Sequence, residues 1–255
     1  MLVIIKENYD ALSVEAAKIV ADRLRKKPNL VLGLATGSTP LGLYKELIRM
    51  HKNEGLDFSK VTTFNLDEYV GLAPTHDQSY HYFMKTNFFE HVNLAKRFVH
   101  LPDGMTKDVN AFCEWYEERI KEFGGLDLQI LGIGQNGHIA FNEPGSSLGS
   151  RTRIKTLTEN TRQANARFFT EDEIVPKYAI TMGVGTIMEA KEILLVANGT
   201  GKADAIKNAC EGPICAMAPA SIIQMHTKAF VVIDKEAGSG LKGQYVDSWE
   251  NVVFD

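Results

Sequence analysis

A chain of 255 residues with 44% apolar and 24% charged side chains has an ordinary globular balance, enough for one large α/β domain or two small ones. A net charge of -4, with no Lys/Arg run longer than Arg25–Lys27, excludes the basic field that nucleic-acid binding requires. The three cysteines, Cys113, Cys210 and Cys215, have no zinc or disulfide spacing, no window is apolar enough to span a membrane, and Leu2–Ile5 is too short for a signal core, so a cytoplasmic protein is expected.

In chain order, Leu2–Ile5 reads as a strand. Ser13–Lys26 reads as a helix whose inner stripe is Val14, Ala17, Ile19, Val20 and Leu24. Leu30–Leu34 is a strand that ends in the turn Ala35-Thr-Gly-Ser-Thr-Pro40, and a helix over Leu41–His51 follows. Val61–Leu66 is the next strand, Ser79–Phe89 contains a helix, Phe98–Leu101 is a short strand and Val109–Phe123 a helix. Leu126–Leu131 is a strand that runs into Gly132-Ile-Gly-Gln-Asn-Gly-His138. Further strands are expected at Tyr178–Thr181, Glu192–Ala197 and Ala229–Ile233, with helices at Val184–Ala190, Thr200–Ala209 and Ala218–Gln224.

Such alternation predicts a Rossmann-like, three-layer α/β fold: an open, mostly parallel sheet with helices on both faces. Residues 1–235 are expected to form a single α/β domain. Residues 236–255 are a polar, Gly-rich tail, free to move except at its anchors Trp249 and Val252–Phe254.

Ligands of open parallel sheets bind outside the carboxyl ends of the strands, so chemistry should cluster just after the predicted strands. Four segments satisfy that test. In Ala35–Pro40, backbone N–H groups and the hydroxyls of Thr36, Ser38 and Thr39 around Gly37 suit an anion, although Thr39-Pro40 is equally a helix start. Asn198-Gly-Thr-Gly-Lys202 places Lys202 where a helix dipole disfavours a cation, which implies an anion nearby unless the side chain simply reaches solvent. Asp67-Glu68 supplies two carboxylates at a strand end, where an acidic residue either caps the next turn or, partly desolvated, acts as a base of raised pKa.

The fourth segment has the glycine spacing of a dinucleotide loop, Gly132-x-Gly134-x-x-Gly137. A dinucleotide needs a long helix straight after those glycines, whereas Asn142-Glu-Pro-Gly145 is turn chemistry that breaks one. The loop is better read as an active-site floor, in which Asn136 and Glu143 stand close enough in sequence to orient His138 as a proton shuttle. No metal is expected, because His138-x4-Glu143 lacks a metal-protease spacing and His76-x4-His81 lacks a third ligand.

Together with Ser79–Met84, Ser150–Thr156, Ala164–Phe169 and Thr181–Thr186, these loops resemble the glucosamine-6-phosphate deaminases, the amino-sugar isomerase–deaminases, over nearly the whole chain to about residue 235. The ending Asn142-Glu-Pro144 and the segment Asp67–Tyr69 separate the chain from the related 6-phosphogluconolactonases. The resemblance implies conversion of D-glucosamine 6-phosphate and water to D-fructose 6-phosphate and ammonia, without an organic cofactor or metal. It implies that Asp67 moves the C2 proton and that His138 opens the sugar ring, with Glu143 and Asn136 in its relay. The phosphate would lie among Thr36, Gly37, Ser38, Thr39, Arg167 and Lys202. Many family members have aspartate at position 136, where this chain has Asn136. Some members are hexamers activated by N-acetylglucosamine 6-phosphate, and Ser146, Arg153 and Lys155 match part of that effector site, so the resemblance allows a homo-oligomer. The competing readings are a lactonase of the same fold and a non-catalytic sugar-phosphate-binding regulator.

Overall fold

The computed structural model describes residues 1–166, 169 and 173–251. Its centre is a seven-stranded parallel sheet of β1 (Leu2–Lys6), β2 (Val31–Leu34), β3 (Thr62–Asn65), β5 (Val99–His100), β6 (Leu128–Leu131), β9 (Glu192–Ala197) and β10 (Ala229–Asp234). The strand order β1-β10-β9-β6-β2-β3-β5 gives the expected three-layer α/β architecture. From β2 the chain winds outward through β3 to β5, then returns to β6 and winds the other way through β9 to β10. The winding therefore reverses between β2 and β6, and a crevice opens at their carboxyl ends. Every residue of β2, β6 and β10 is buried, as expected for strands covered on both faces.

Helix α1 (Tyr9–Lys26) starts four residues before the predicted Ser13, because Asn8 Oδ1 accepts the Ala11 N–H (3.0 Å). Ala17, Ile19, Val20 and Leu24 lie inside as predicted, but Val14 is 38% exposed; Leu12 and Ala16 complete the stripe instead. Helix α2 (Pro40–Glu54) packs on α1 where Gly42 meets Ser13, and a Cβ at position 42 would sit 2.2 Å from Ser13 Oγ. Helices α3 (Tyr80–Asn87) and α4 (Val109–Glu122) lie where the sequence places them. The helix expected at Thr200 begins as a 3-10 turn, Thr200–Lys202, before α7 (Ala203–Cys210), which follows α6 (Val184–Met188) in helix order. The helix expected at Ala218 is a 3-10 segment, Pro219–Met225.

A second, antiparallel sheet has the order β4-β8-β7, from β4 (Asp67–Tyr69), β7 (Arg153–Thr156) and β8 (Tyr178–Thr181). The sequence reading gave Tyr178–Thr181 no separate sheet and missed its two partners. The last residue before β4, Leu66, still pairs with the main sheet through Leu34 and accepts from Met182 N–H at 2.7 Å. Asp67 thus stands where one sheet hands the chain to the other. Helix α5 (Glu159–Ala166) lies between β7 and β8 in the chain.

The tail returns to the edge of the main sheet: Val246 bridges Ile4, Lys6 Nζ donates to Asp247 O (2.7 Å), and the Arg23 guanidinium lies 5.2 Å from the centre of the Trp249 ring. These contacts cover the otherwise open edge of β1. Val252–Phe254 lie outside the described residues.

Glu117 of α4 fastens the small sheet to the large one. Its carboxylate accepts from Thr152 N–H (2.8 Å), Thr152 Oγ1 (2.5 Å), Thr186 Oγ1 (2.6 Å) and Arg151 Nη2 (2.5 Å). Burial would raise its pKa, but the hydrogen bonds from Thr152 and Thr186 and the charge of Arg151 outweigh it and hold the group below the ordinary carboxylate value. Glu117→Ala strands the Thr152 N–H and the hydroxyls of Thr152 and Thr186, while Arg151 keeps Glu189, and we expect urea unfolding at pH 7 to show a loss of about 2–4 kcal/mol. The folded-state pKa is depressed, so this stabilisation is present above the unfolded carboxylate value and is lost as pH falls through the folded one. A loss that persisted unchanged in acid would show that the carboxylate's charge is not what binds.

Candidate active site

A cavity of about 430 Å³ occupies the crevice beyond β2 and β6. Its wall includes Thr36, Gly37, Ser38 and Thr39 from the loop after β2, Asp67 at the start of β4, and Asn136 and His138 from the loop after β6. Lys202 reaches it from the turn before α7, and Thr161 and Asn165 from α5. Four segments far apart in the chain are thus brought together as the parallel-sheet rule predicts. Arg167, expected to share the phosphate, lies outside the described residues.

The helix-start reading of the hydroxyl loop holds in part. Gly37 has φ +102°, a left-handed conformation that glycine accepts without strain, and Pro40 starts α2. Yet Thr39 makes no side-chain cap; its Oγ1 donates to Asn198 Oδ1 at 2.9 Å. That bond ties the loop after β2 to the loop after β9, which carries Lys202. The second loop is held in turn by Asp234, whose carboxylate accepts Gly199 N–H at 3.0 Å. Lys202 therefore closes a 3-10 turn immediately before α7 rather than lying inside the first helical turn.

The two acidic neighbours have separate tasks. Glu68 is fully buried and accepts N–H groups from Tyr69 (2.8 Å), Tyr80 (3.1 Å) and His81 (3.1 Å), so it caps the start of α3 from a distance. Burial raises its pKa to about 7, with those three N–H groups restraining the rise. Asp67 is 6% exposed and faces the cavity. Burial, and then the nearby charge of Glu68, push its pKa well above the ordinary aspartate value. A carboxylate raised in this way is a stronger base when ionised, as proton abstraction from carbon requires.

The loop after β6 is built around an imidazole. Gly134 N–H donates to His138 O (2.9 Å) and Gly137 turns the chain at φ +83°. The His138 ring lies over Gly134 so closely that a Cβ there would be 2.2 Å from ring Cε1. Nδ1 of His138 is 2.7 Å from Asn136 Oδ1, and Asn136 Nδ2 donates to Glu143 Oε2 at 2.8 Å. The carboxylate fixes the amide orientation, since the flipped form would set oxygen against oxygen. With the amide oxygen facing it, Nδ1 carries the proton and Nε2 is left as the basic nitrogen. Glu143 is 3% exposed; burial would raise its pKa, but donors from His138, Thr161 and Asn136 bring it down to about 2. The same loop is stapled to the small sheet, with Phe141 N–H donating to Thr181 Oγ1 (3.1 Å) and Asn142 Nδ2 to Met182 O (2.9 Å). Thr181 is the register partner of Asp67, so the imidazole and the aspartate share one rigid frame. Ala140, inside this loop, has φ +50°, an uncommon conformation for a residue with a side chain.

The sequence reading missed Thr161 and Asn165, although Thr158-x-x-Thr161 at a helix start was a usable signal: Thr158 Oγ1 accepts Thr161 N–H at 3.3 Å. Neither Ser146, Arg153 nor Lys155 belongs to the cavity wall. Arg153 donates to Arg151 O (3.2 Å), and Ser146 Oγ is buried without a hydrogen-bond partner among the described residues. Among the described residues, one group has the donors for a cation, His76, Asp77 and Glu173, away from the cavity wall. His76 Nδ1 accepts Gln78 N–H (3.1 Å), which leaves a protonated Nε2 to donate to Glu173 Oε1 (3.0 Å). His81 is not part of this group; its Nε2 lies 3.1 Å from Pro102 O.

Comparison with known proteins agrees with this geometry. The family described as Glucosamine-6-phosphate isomerases/6-phosphogluconolactonase matches residues 6–232. The chain is 53% identical over 253 residues to a glucosamine-6-phosphate deaminase of Thermoanaerobacter pseudethanolicus, covering 99% of this chain and all of that one. It is 54% identical to the glucosamine-6-phosphate deaminase of Halothermothrix orenii over 239 residues, 94% of this chain and 99% of that one. A solved monomeric glucosamine-6-phosphate deaminase superposes with TM-score 0.92 at 47% identity, covering 94% of this chain and all of that chain. A 6-phosphogluconolactonase from Trypanosoma brucei superposes with TM-score 0.74 at 18% identity over 94% of this chain and 98% of that one, a likeness of fold alone. With the matching family covering residues 6–232, the loops after β2, β6 and β9 included, this chain belongs to the glucosamine-6-phosphate isomerase/6-phosphogluconolactonase family.

Proposed function

We propose that this chain converts D-glucosamine 6-phosphate and water to D-fructose 6-phosphate and ammonia. The observation that carries the reading is a buried aspartate of raised pKa sharing one cavity with an oriented imidazole and an anion-suited hydroxyl loop. The phosphate sits against Thr36, Gly37, Ser38, Thr39 and Lys202, with Arg167 as a further cation, far from the bonds that change. Binding energy gained there holds the sugar's C1–C2 end against Asp67.

His138 Nε2 takes the proton of the C1 hydroxyl, the C1–O5 bond breaks, and O5 receives a proton. Asp67 then removes the C2 hydrogen as a proton; the freed electron pair becomes a C1–C2 double bond while the C1=O π pair moves onto O1, which takes up a proton as the C1 hydroxyl. Return of that proton to C1 leaves C2 bound to nitrogen as an iminium. Water adds at C2, the C2–N bond breaks, and ammonia leaves as the C2 ketone forms. The C2 hydrogen is acidic because the substrate's own C1 carbonyl accepts the electron pair. Three free thiols support a reducing, cytoplasmic setting, and no helix among the described residues is long and apolar enough to cross a membrane.

The assay is release of ammonia and fructose 6-phosphate from glucosamine 6-phosphate without added nucleotide. Hydrolysis of 6-phosphogluconolactone with no ammonia would support the lactonase reading instead. Asn136 makes a separate prediction. In Asn136→Asp a second carboxylate faces Glu143 across the present 2.8 Å contact, so the two share a proton and the His138 cation gains a charged partner. We expect turnover within about tenfold of the parent but a displaced pH–rate profile; a profile that overlays the parent's would remove Asn136 from the relay.

A further inference from the structure

Two hydroxyls, Thr158 just before α5 and Thr161 in its first turn, close the far side of Glu143. Its Oε2 faces the relay, accepting from Asn136 (2.8 Å) and lying 3.6 Å from His138 Nδ1. Its Oε1 accepts from Thr158 Oγ1 at 3.2 Å and, at a closer distance, from Thr161 Oγ1. The Thr161 hydroxyl is also 3.1 Å from Thr158 Oγ1. A carboxylate bound on one oxygen only can turn about its last side-chain torsion, which is broad and roughly two-fold. One bound on both oxygens cannot turn without losing bonds at each end.

We propose that Thr161 is a positioning residue of the ring-opening relay: its hydroxyl fixes the Glu143 carboxylate so that Oε2 stays on Asn136 and His138. The claim rests on the relay assigned above to Glu143, Asn136 and His138 and adds the element that completes it. Thr161 belongs to α5, whereas Glu143 belongs to the loop after β6, so the relay is assembled only with α5 docked against that loop. The same helix carries Asn165 one turn on, where Nδ2 donates to Tyr69 OH at 3.0 Å. Tyr69 ends β4, the strand that Asp67 begins. Helix α5 therefore touches the support of both reacting groups, through Thr161 on one side and Asn165 on the other. Thr161 is 6% exposed, so water is poorly placed to replace a lost hydroxyl.

The test is the set Thr161→Val, Thr161→Ser, Glu143→Gln and the double variant Thr161→Val/Glu143→Gln, assayed for ammonia release from glucosamine 6-phosphate across pH. Valine keeps the shape and removes the donor. We expect kcat to fall on the order of 10- to 100-fold, the range for a lost hydrogen bond to a charged group, with KM little changed. The acid limb should move to higher pH, because the carboxylate loses a donor that favours its ionised form. Thr161→Ser restores most of the rate. In the Glu143→Gln background the valine substitution adds little, since a residue that acts through Glu143 has nothing left to position.

Equal losses from Thr161→Val in both backgrounds, or a serine variant as slow as the valine one, would overturn the proposal and make Thr161 a packing residue. Full activity in Thr161→Val while Glu143→Gln is slow would overturn it and leave the relay standing. Full activity in Glu143→Gln would remove the relay itself, and the proposal with it. If Thr161→Val does not fold, Thr161→Ala against Thr161→Ser makes the same comparison.

Discussion

Asp67→Asn lowers kcat by roughly 10²–10⁴-fold, the range supplied by a positioned acid or base, and leaves the substrate Kd within about threefold. The amide keeps the size and the cavity contacts of the carboxylate but cannot accept a proton from carbon. Binding is spared because, in the proposed pose, the phosphate lies against the hydroxyl loop and Lys202 rather than against Asp67. The same substitution should stabilise the fold at neutral pH. Asp67 has a folded-state pKa raised by burial and by Glu68, so its ionisation works against the folded state. Stability that it retains below the unfolded aspartate pKa is lost as pH rises through the folded value. Asparagine escapes that loss, so thermal unfolding at pH 7 should show a higher Tm than the parent, and the gap should close in acid. Calorimetric titration with substrate, steady-state rates and melting curves check the three parts. Loss of binding together with turnover would mean that Asp67 grips the substrate rather than reacting with it.

Gly134→Ala produces the second large effect, from one methyl group. Its Cβ would lie 2.2 Å, 2.3 Å and 2.5 Å from Cε1, Nδ1 and Nε2 of His138, separations no side chains tolerate. The ring must swing off the glycine, which breaks the 2.7 Å contact between Nδ1 and Asn136 Oδ1. A displacement of about 1 Å at a reacting group costs on the order of 100-fold in rate, and that is the expected fall in kcat. Gly149→Ala is the control, because a Cβ at that exposed position meets nothing within 4 Å. Rates for the two variants, with the ring resonances of His138 followed by NMR, decide the matter. An unchanged rate in Gly134→Ala would show that the imidazole does not need its present seat.

Much of the architecture was legible because its signals are local. β9 was placed to the residue, and β2, β6 and β10 to within two, because strands buried on both faces are written as continuous apolar runs. Turn chemistry at Asn142-Glu-Pro-Gly145 marked the segment after Gly137 as lacking a helix, as the structure shows. Strands β4 and β7 were not legible: three and four residues long and mostly polar, they exist because β8 lies between them. Val14 was misplaced for a related reason, since the face a helix buries depends on what packs against it.

Side-chain partners show the same division. Residue types and spacing alone set Asn136, His138 and Glu143 in one loop, two and five residues apart. The bond from Thr39 to Asn198 spans 159 positions and that from Thr161 to Glu143 spans 18, and neither has a sequence pattern. Glycine at position 134 reads from the sequence only as freedom to turn, and the structure shows that it also makes room for an imidazole.

By itself, then, the sequence determined the alternation of elements, the loops at the strand ends and the kinds of side chain available there. Those follow from backbone sterics and hydrophobic periodicity, which act over a few residues. Only the tertiary structure decided that Asp67 is dry and strongly basic while Glu143 stays ionised. Desolvation and hydrogen bonding sum over every segment that closes around a carboxylate, and those segments meet only when the chain has folded.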